Sequence, residues 1–360
     1  MLFRSRLIEA ARKGDWSRLS DILSFIQNTE NNEVHRTSLV RLLATNLYNE
    51  KWPVLRQLLQ DASPLVRSSA ALALSDGLTG ENVAALLSLT ADPVRLVRIR
   101  AAEALAPIPA SMATGGARQS FEAAQAELLS ALNVRPDIWT SHYNLGNYYS
   151  GINEVDKAIA SYKTALQLEP RAVLSLTNLE MMYGQRGEYD MAETSLRKAL
   201  EIEPNSAPVR FNLGLLMVEK GNAGQAEKDF RAALDLDPRL APAAYNLGLL
   251  IIEERPEEGL MYCRTAYELS PGDPKYGYSF AFFQAQTGDR EGAVMTLENT
   301  LKFNPGHLDS LLLLGAFYTQ DGKVESAREI YQHALSSGDL LDQDALLLRS
   351  KLQELEGKKQ

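Results

Sequence analysis

A single cysteine, Cys263, is all that 360 residues contain. That excludes an internal disulfide framework and any zinc or haem-attachment site that needs several cysteines. The histidines His35, His142, His307 and His333 are scattered, with no pair spaced to share a metal on one helix face. No apolar run approaches the roughly 20 residues a helix needs to cross a bilayer, so no membrane insertion is expected. The N-terminal stretch MLFRSRLIEAARKGDW has no apolar core of the kind a signal peptide requires. The chain therefore reads as cytoplasmic; as a separated tail of an exported protein it would be periplasmic. The phosphate-cradling G-x-x-x-x-G-K-[ST], the dinucleotide G-x-G-x-x-G and the nucleophile elbow G-x-S-x-G are all missing. Net charge is −9, which argues against nucleic acid as a partner. Nothing points to catalysis or to a cofactor.

What the chain does have is repetition, which decides the fold before any local detail. Pro136, Pro170, Pro204, Pro238, Pro271 and Pro305 follow one another at steps of 34, 34, 34, 33 and 34. Between them lie two amphipathic helical stretches and a short polar or Gly turn. The first unit carries Leu145, Gly146 and Tyr149, then Ala158, Tyr162 and Ala165, and closes on Pro170. Later units repeat the scheme with Leu179 and Tyr183; Leu213, Gly214 and Phe230; Leu247 and Gly248; Phe280 and Ala281; Leu314, Gly315 and Tyr331. Small residues let paired helices approach, aromatics fill the remaining space, and Pro ends the second helix. The pattern resembles the tetratricopeptide repeat (TPR). Six units are expected over 137–339, preceded by a half unit at 120–136. A capping helix and tail follow over 340–360, with a stripe of Leu346, Leu348, Leu352 and Leu355.

The first hundred residues keep a different period. Arg36, Arg67 and Arg98 stand 31 apart, and six residues before each is an acid: Glu30, Asp61 and Asp92. The stretches LLQDASPLVRSSAALAL and LTADPVRLVRIRAAEAL resemble short HEAT-type helix pairs over 1–108. Their acids and arginines are expected to pair between neighbouring repeats. The Pro-, Gly- and Ser-rich PIPASMATGGARQ, at 107–119, reads as a joint, with the linker proper at 109–119. The fold class that follows is all-α: a right-handed α-solenoid, HEAT-like repeats followed by a TPR superhelix. Residues 1–110 are net +2 and the remainder net −11, so the acidity belongs to the second half.

One polar residue recurs with the period. Asn144, Asn178, Asn212 and Asn246 each stand at position 6 of a unit, just before the Leu. Positions 2, 5, 6, 9 and 13 share one face of the first helix by helical spacing. In a stacked solenoid that face lines the concave groove. A carboxamide donates and accepts in fixed geometry, so a row of them can hold the backbone of an extended peptide. The row resembles the asparagine ladder in the TPR superhelix of O-linked N-acetylglucosamine transferases, in which such residues hold peptide backbone. Only these four positions carry over; Ser279 and Leu313 end the row, and no catalytic domain is present. Beside it, position 5 carries Tyr143, Phe211, Tyr245 and Tyr278, and position 9 carries Asn147 and Phe282. The expected site is an apolar, aromatic groove with an amide row. Only Lys275 could serve the carboxylate clamp by which other TPR proteins hold acidic chaperone tails, so that partner class is not expected. The alternative is that the row is architecture and the groove is filled by the chain's own HEAT segment or capping helix.

The order of HEAT repeats, joint, half unit and TPR array also resembles the C-terminal tail of a family of bacterial multihaem c-type cytochromes. The residues that carry it are DPVRLVRIRAAEALA and AAQAELLSALNVRPDIWTSHYNLG. The haem-attachment motif is absent, so no haem is bound covalently. Two functions stay open: a stand-alone scaffold for a protein or peptide partner, or a docking module for a multihaem cytochrome.

Overall fold

Apolar periodicity at helical spacing runs almost unbroken through the chain, and the computed structural model is correspondingly all-helical. It describes residues 2–46, 49–337, 340 and 342–357; residues 358–360 of the anticipated tail lie outside them. Among the described residues there are 21 α-helices and no strand. The first eight are α1 (Leu2–Arg12), α2 (Leu19–Gln27), α3 (Glu33–Leu42), α4 (Lys51–Leu58), α5 (Pro64–Ala73), α6 (Gly80–Leu89), α7 (Arg95–Ala104) and α8 (Gly115–Leu132). Then come α9 (Trp139–Gly151), α10 (Val155–Leu168), α11 (Val173–Gln185), α12 (Tyr189–Ile202), α13 (Ala207–Glu219) and α14 (Ala223–Leu236). The last are α15 (Ala241–Ile251), α16 (Pro256–Leu269), α17 (Pro274–Gln286), α18 (Arg290–Phe303), α19 (Leu308–Gln320), α20 (Val324–Ser337) and α21 (Asp342–Gly357). The chain forms two compact units, Met1–Ser195 and Leu196–Gln360.

In the first unit, α3, α5, α7 and α8 stack in succession, each packed on the next. The acid–arginine periodicity is the tie between them. Arg36 pairs with Asp61, Arg67 with Asp92 at 2.9 Å, and Arg98 with Glu127 at 2.7 Å. Each arginine also donates to carbonyls of its own repeat: Arg36 to Ile26, Arg67 to Asp61 and Ala62, Arg98 to Asp92 and Pro93. So each guanidinium is shared between its own repeat and the acid of the next, and Glu30, with no arginine at the ladder spacing of 25 residues before it, is exposed. At the third rung the acid comes from a helix, α8, instead of a turn. The apolar core follows the stack without a break, from Leu7 and Ile22 through Leu74 and Val97 to Phe121, Ala124 and Leu128 of α8. The anticipated joint is largely structured: Ala110–Met112 form a 3-10 turn, Ile108 and Ala110 pack against the core, and α8 begins at Gly115. The helix starts at the Gly-Gly pair with its first turn exposed, and its buried face begins at Phe121 and Ala124.

From α9 onward the helices come in pairs, and α9/α10, α13/α14, α15/α16, α17/α18 and α19/α20 each pack closely. Position 8 explains the closeness. A Cβ on Gly146 would stand 2.4 Å from the Tyr162 ring, and one on Gly214 2.5 Å from the Phe230 ring. Tyr162 and Phe230 are wholly buried. In the fourth pair Gly248 faces Cys263 instead, and burial pushes that thiol up to about 12, so it is a packing group. The helix-to-helix turns repeat as well. A left-handed residue recurs at Asn153, Gly187, Gly221, Gly288 and Gly322. The fourth unit is one residue short there and has no such residue; Pro256 starts its second helix directly. In α21, Leu348 and Leu355 are buried against the last pair, but Leu346 is 63% exposed, so the capping stripe is narrower than its leucines suggest.

Candidate functional site

The first helix of each pair is nearly free of charge. α9 and α15 have no charged residue, and the other four first helices carry only Glu180, Arg210, Glu219, Lys275 and Asp309. The second helices and the turns hold the other charges; α12 alone has Asp190, Glu193, Arg197, Lys198 and Glu201. An amide on a first helix therefore sits among apolar and aromatic neighbours.

In the first unit, Asn144 and Asn147 lie one turn apart on α9 and are both exposed. Asn144 makes no side-chain hydrogen bond among the described residues. Asn147 is held: its Oδ1 accepts from the Tyr162 hydroxyl at 2.8 Å and from Asn178 Nδ2 at 2.8 Å. Asn178 Nδ2 lies 3.3 Å from the same hydroxyl, closing a three-membered network. Asn178 thus bonds to the preceding repeat, a contact between residues 31 apart that its position in the period does not reveal. Tyr143, half-buried, packs against Trp139 and Tyr162 at ring separations of 6.0 and 6.1 Å. On α11, Leu174 and Met181 are exposed, at positions 2 and 9.

Asn144 and Asn147 also line a cavity of about 660 Å³ that sequence reasoning did not anticipate. Its walls come from α7 and the residues after it (Leu96, Ile99, Arg100, Pro107), from α8 (Leu128, Leu132) and from α9 (Tyr148). Arg100 is paired with Glu103 at 2.5 Å, so the two charges in the wall neutralise each other. Burial raises the phenol of Tyr148 above its ordinary value. The cavity exists where helices of the two repeat types meet, and no signal within either period marks it.

In the second unit the predicted residues separate into surface and support. Asn212 makes no side-chain hydrogen bond among the described residues, and Phe211 beside it packs on Phe230 at 5.8 Å. Asn246 donates to the carbonyl of Pro242 on its own helix at 2.8 Å. Tyr245 is only 6% exposed; its hydroxyl lies 3.1 Å from Ser279 Oγ, and Lys275 Nζ sits 4.4 Å above its ring. It supports the face from beneath. Tyr278 and Phe282 are half-buried and stack at 6.2 Å, with His307 edge-on to Tyr278. At the sixth pair, Leu312 and Ala316 share a cavity of about 420 Å³ with Lys351, Glu354 and Leu355, so α21 lies beside positions 5 and 9 there.

One residue was missed although the sequence marks it. Glu180 occupies position 8, where Gly146, Gly214, Gly248 and Gly315 stand in other repeats. It is half-buried, has no hydrogen-bond or ion-pair partner among the described residues, and burial pushes its carboxyl up to about 7. No group of three or more His, Cys, Asp or Glu among the described residues could hold a metal ion. No described helix is long and apolar enough to cross a membrane.

Residues 19–106 match the HEAT repeat family, and residues 132–303 match the tetratricopeptide repeat family. No curated protein matches the sequence. Among solved structures the chain is similar to MamA, at 23% identity over 47% of this chain and 92% of that one, with a TM-score of 0.40. It is similar to YrrB, described as a TPR protein with an unusual peptide-binding site, at 23% identity over 51% and 95%, TM-score 0.39. Pseudomonas aeruginosa pilF is similar at 18% identity over 61% and 99%, TM-score 0.49. These likenesses concern the repeat fold alone.

Proposed function

We propose that the chain is a non-enzymatic protein-interaction scaffold. Its first-helix faces hold extended segments of a partner protein, with side-chain amides on the peptide backbone. The observation that carries this reading is the free carboxamide on a charge-poor face: among the described residues, Asn144 and Asn212 have donor and acceptor both unengaged. Such a group exchanges water for a peptide group at little net cost, and it does so whatever the peptide's side chains. Tyr143, Phe211, Tyr278 and Phe282 offer partly exposed rings for those side chains. Asn178 and Asn246 take a lesser part, since each is engaged within the fold. The partner class is protein, not nucleic acid or lipid. The test is direct titration of peptides, selected on the full chain from a random twelve-residue display library, into wild type and an Asn144→Ala, Asn178→Ala, Asn212→Ala, Asn246→Ala variant of unchanged circular dichroism. A tenfold or greater loss is expected. Equal affinity sinks the amide mechanism.

A second reading has the amides as architecture and the chain as a periplasmic docking module beside a multihaem cytochrome. Its support is the internal bonding of Asn178 and Asn246 and the placement of α21 beside repeat six. Binding of a purified multihaem cytochrome with all four asparagines replaced would favour it.

A further inference from the structure

The cavity among α7, α8 and α9 has a donor fixed in its wall. The amide of Asn147 cannot turn freely, because its Oδ1 accepts from both Tyr162 and Asn178. The group left without a partner among the described residues is its Nδ2, which can only donate. One turn earlier on the same helix stands Asn144, free to donate and accept. Side chains three apart on a helix lie about 5–6 Å apart at Cβ. Same-side peptide groups of an extended strand recur at roughly 6.6 Å, which flexible carboxamides can span. The same wall carries the apolar side chains of Leu96, Ile99, Leu128 and Leu132, together with Tyr148. The only charges in the wall among the described residues are the mutually paired Arg100 and Glu103.

Resting on the scaffold reading, we infer that this junction cavity is a specific subsite for an uncharged, extended peptide segment bearing one bulky apolar side chain. A backbone carbonyl of the segment accepts from Asn147 Nδ2, the next same-side peptide group meets Asn144, and the apolar side chain enters between Ile99, Leu128 and Leu132. Charge selects the occupant: an acidic or basic segment would have to break the Arg100–Glu103 pair or leave its own charge uncompensated. The volume, within the 300–1,000 Å³ usual for ligand pockets, accommodates a side chain with its flanking backbone. Asn178 is a positioning residue, acting by holding Asn147.

The experiment uses the full chain and blocked, acetylated and amidated peptides from the twelve-residue library. A benzoylphenylalanine photocrosslinker is placed at Leu96 in one protein and at Phe282 in another. Crosslinking from 96 is expected, with a tenfold or greater loss of affinity in Asn147→Ala and in Leu96→Glu. Leu96 is itself exposed, so its substitution leaves the fold intact. Replacing the peptide's apolar anchor by Ser should cost a similar factor. In a double-mutant cycle, Asn178→Ala should weaken binding in the wild-type background and add little once Asn147 is Ala, a non-additivity that a merely structural role for Asn178 would not produce. Crosslinking from 282 alone, with affinity indifferent to Leu96→Glu, overturns the subsite and leaves the scaffold reading standing. Recovery of no binding peptide from the library overturns both.

Discussion

Glu180 makes the stability of the protein depend on pH in the direction opposite to an ion-paired carboxylate. Burial without a partner raises its carboxyl from the ordinary value near 4.5 to about 7. The fold therefore favours the protonated form: stability is greatest below the unfolded value and declines as pH rises from about 4.5 to 7. Glu180→Gln removes the charge while keeping the shape, and should gain on the order of 2 kcal/mol at pH 8 and little at pH 4. Denaturant midpoints of both proteins at the two pH values check this; an equal response at both would show that Glu180 is solvated. Residue-scale features differ in how far the sequence reveals them. Asn144 and Asn212 are legible because a period of 34 places them on a helix face. The engagement of Asn178 with Asn147 and Tyr162 is not, because it depends on how far one repeat is offset from the next. Glu180 is legible as a departure from Gly, but its consequence needs the burial of that position.

At the scale of the helix, the acid–arginine series joins elements that local propensity alone would leave independent. The rungs differ in exposure: Arg36 and Asp61 are 3% and 5% exposed, Arg67 and Asp92 12% and 7%, Arg98 and Glu127 24% and 32%. Breaking a buried pair leaves an uncompensated charge and costs about 3–5 kcal/mol, while an exposed pair is worth about 1 kcal/mol or less. Asp61→Asn should therefore destabilise most, Asp92→Asn less and Glu127→Gln least. Hydrogen exchange in α3, α5 and α7 reads the order, and a flat response would mean that the backbone carbonyls alone hold the arginines. The ladder was foreseen from a 31-residue period and three acids. Its third partner, Glu127, was not, because α8 lies outside that period. Before α8, Ala110–Met112 form a 3-10 turn and α8 begins at Gly115, a helical start that the local Gly-Gly pair does not announce.

For the molecule as a whole, charge is segregated by position in the repeat: first helices are almost neutral, and the charges lie on the second helices and the turns. A segment bound on neutral faces releases no counterions and gains nothing from long-range attraction. Its affinity should change less than threefold between 50 and 500 mM salt, despite the net charge of −9. Titration of a selected peptide at both ionic strengths measures this, and a steep salt dependence would place the binding surface on the second helices instead. The third rung of the ladder has a further consequence, one of modularity. Because α8 answers the last HEAT arginine with Glu127 on one face and packs against α9 on another, it works as a coupler between two repeat grammars. A HEAT array that ends in an arginine so placed presents the same socket. Chimaeras joined at α8 therefore inherit a finished seam, whereas chimaeras cut at the Pro–Gly stretch before it would have to invent one.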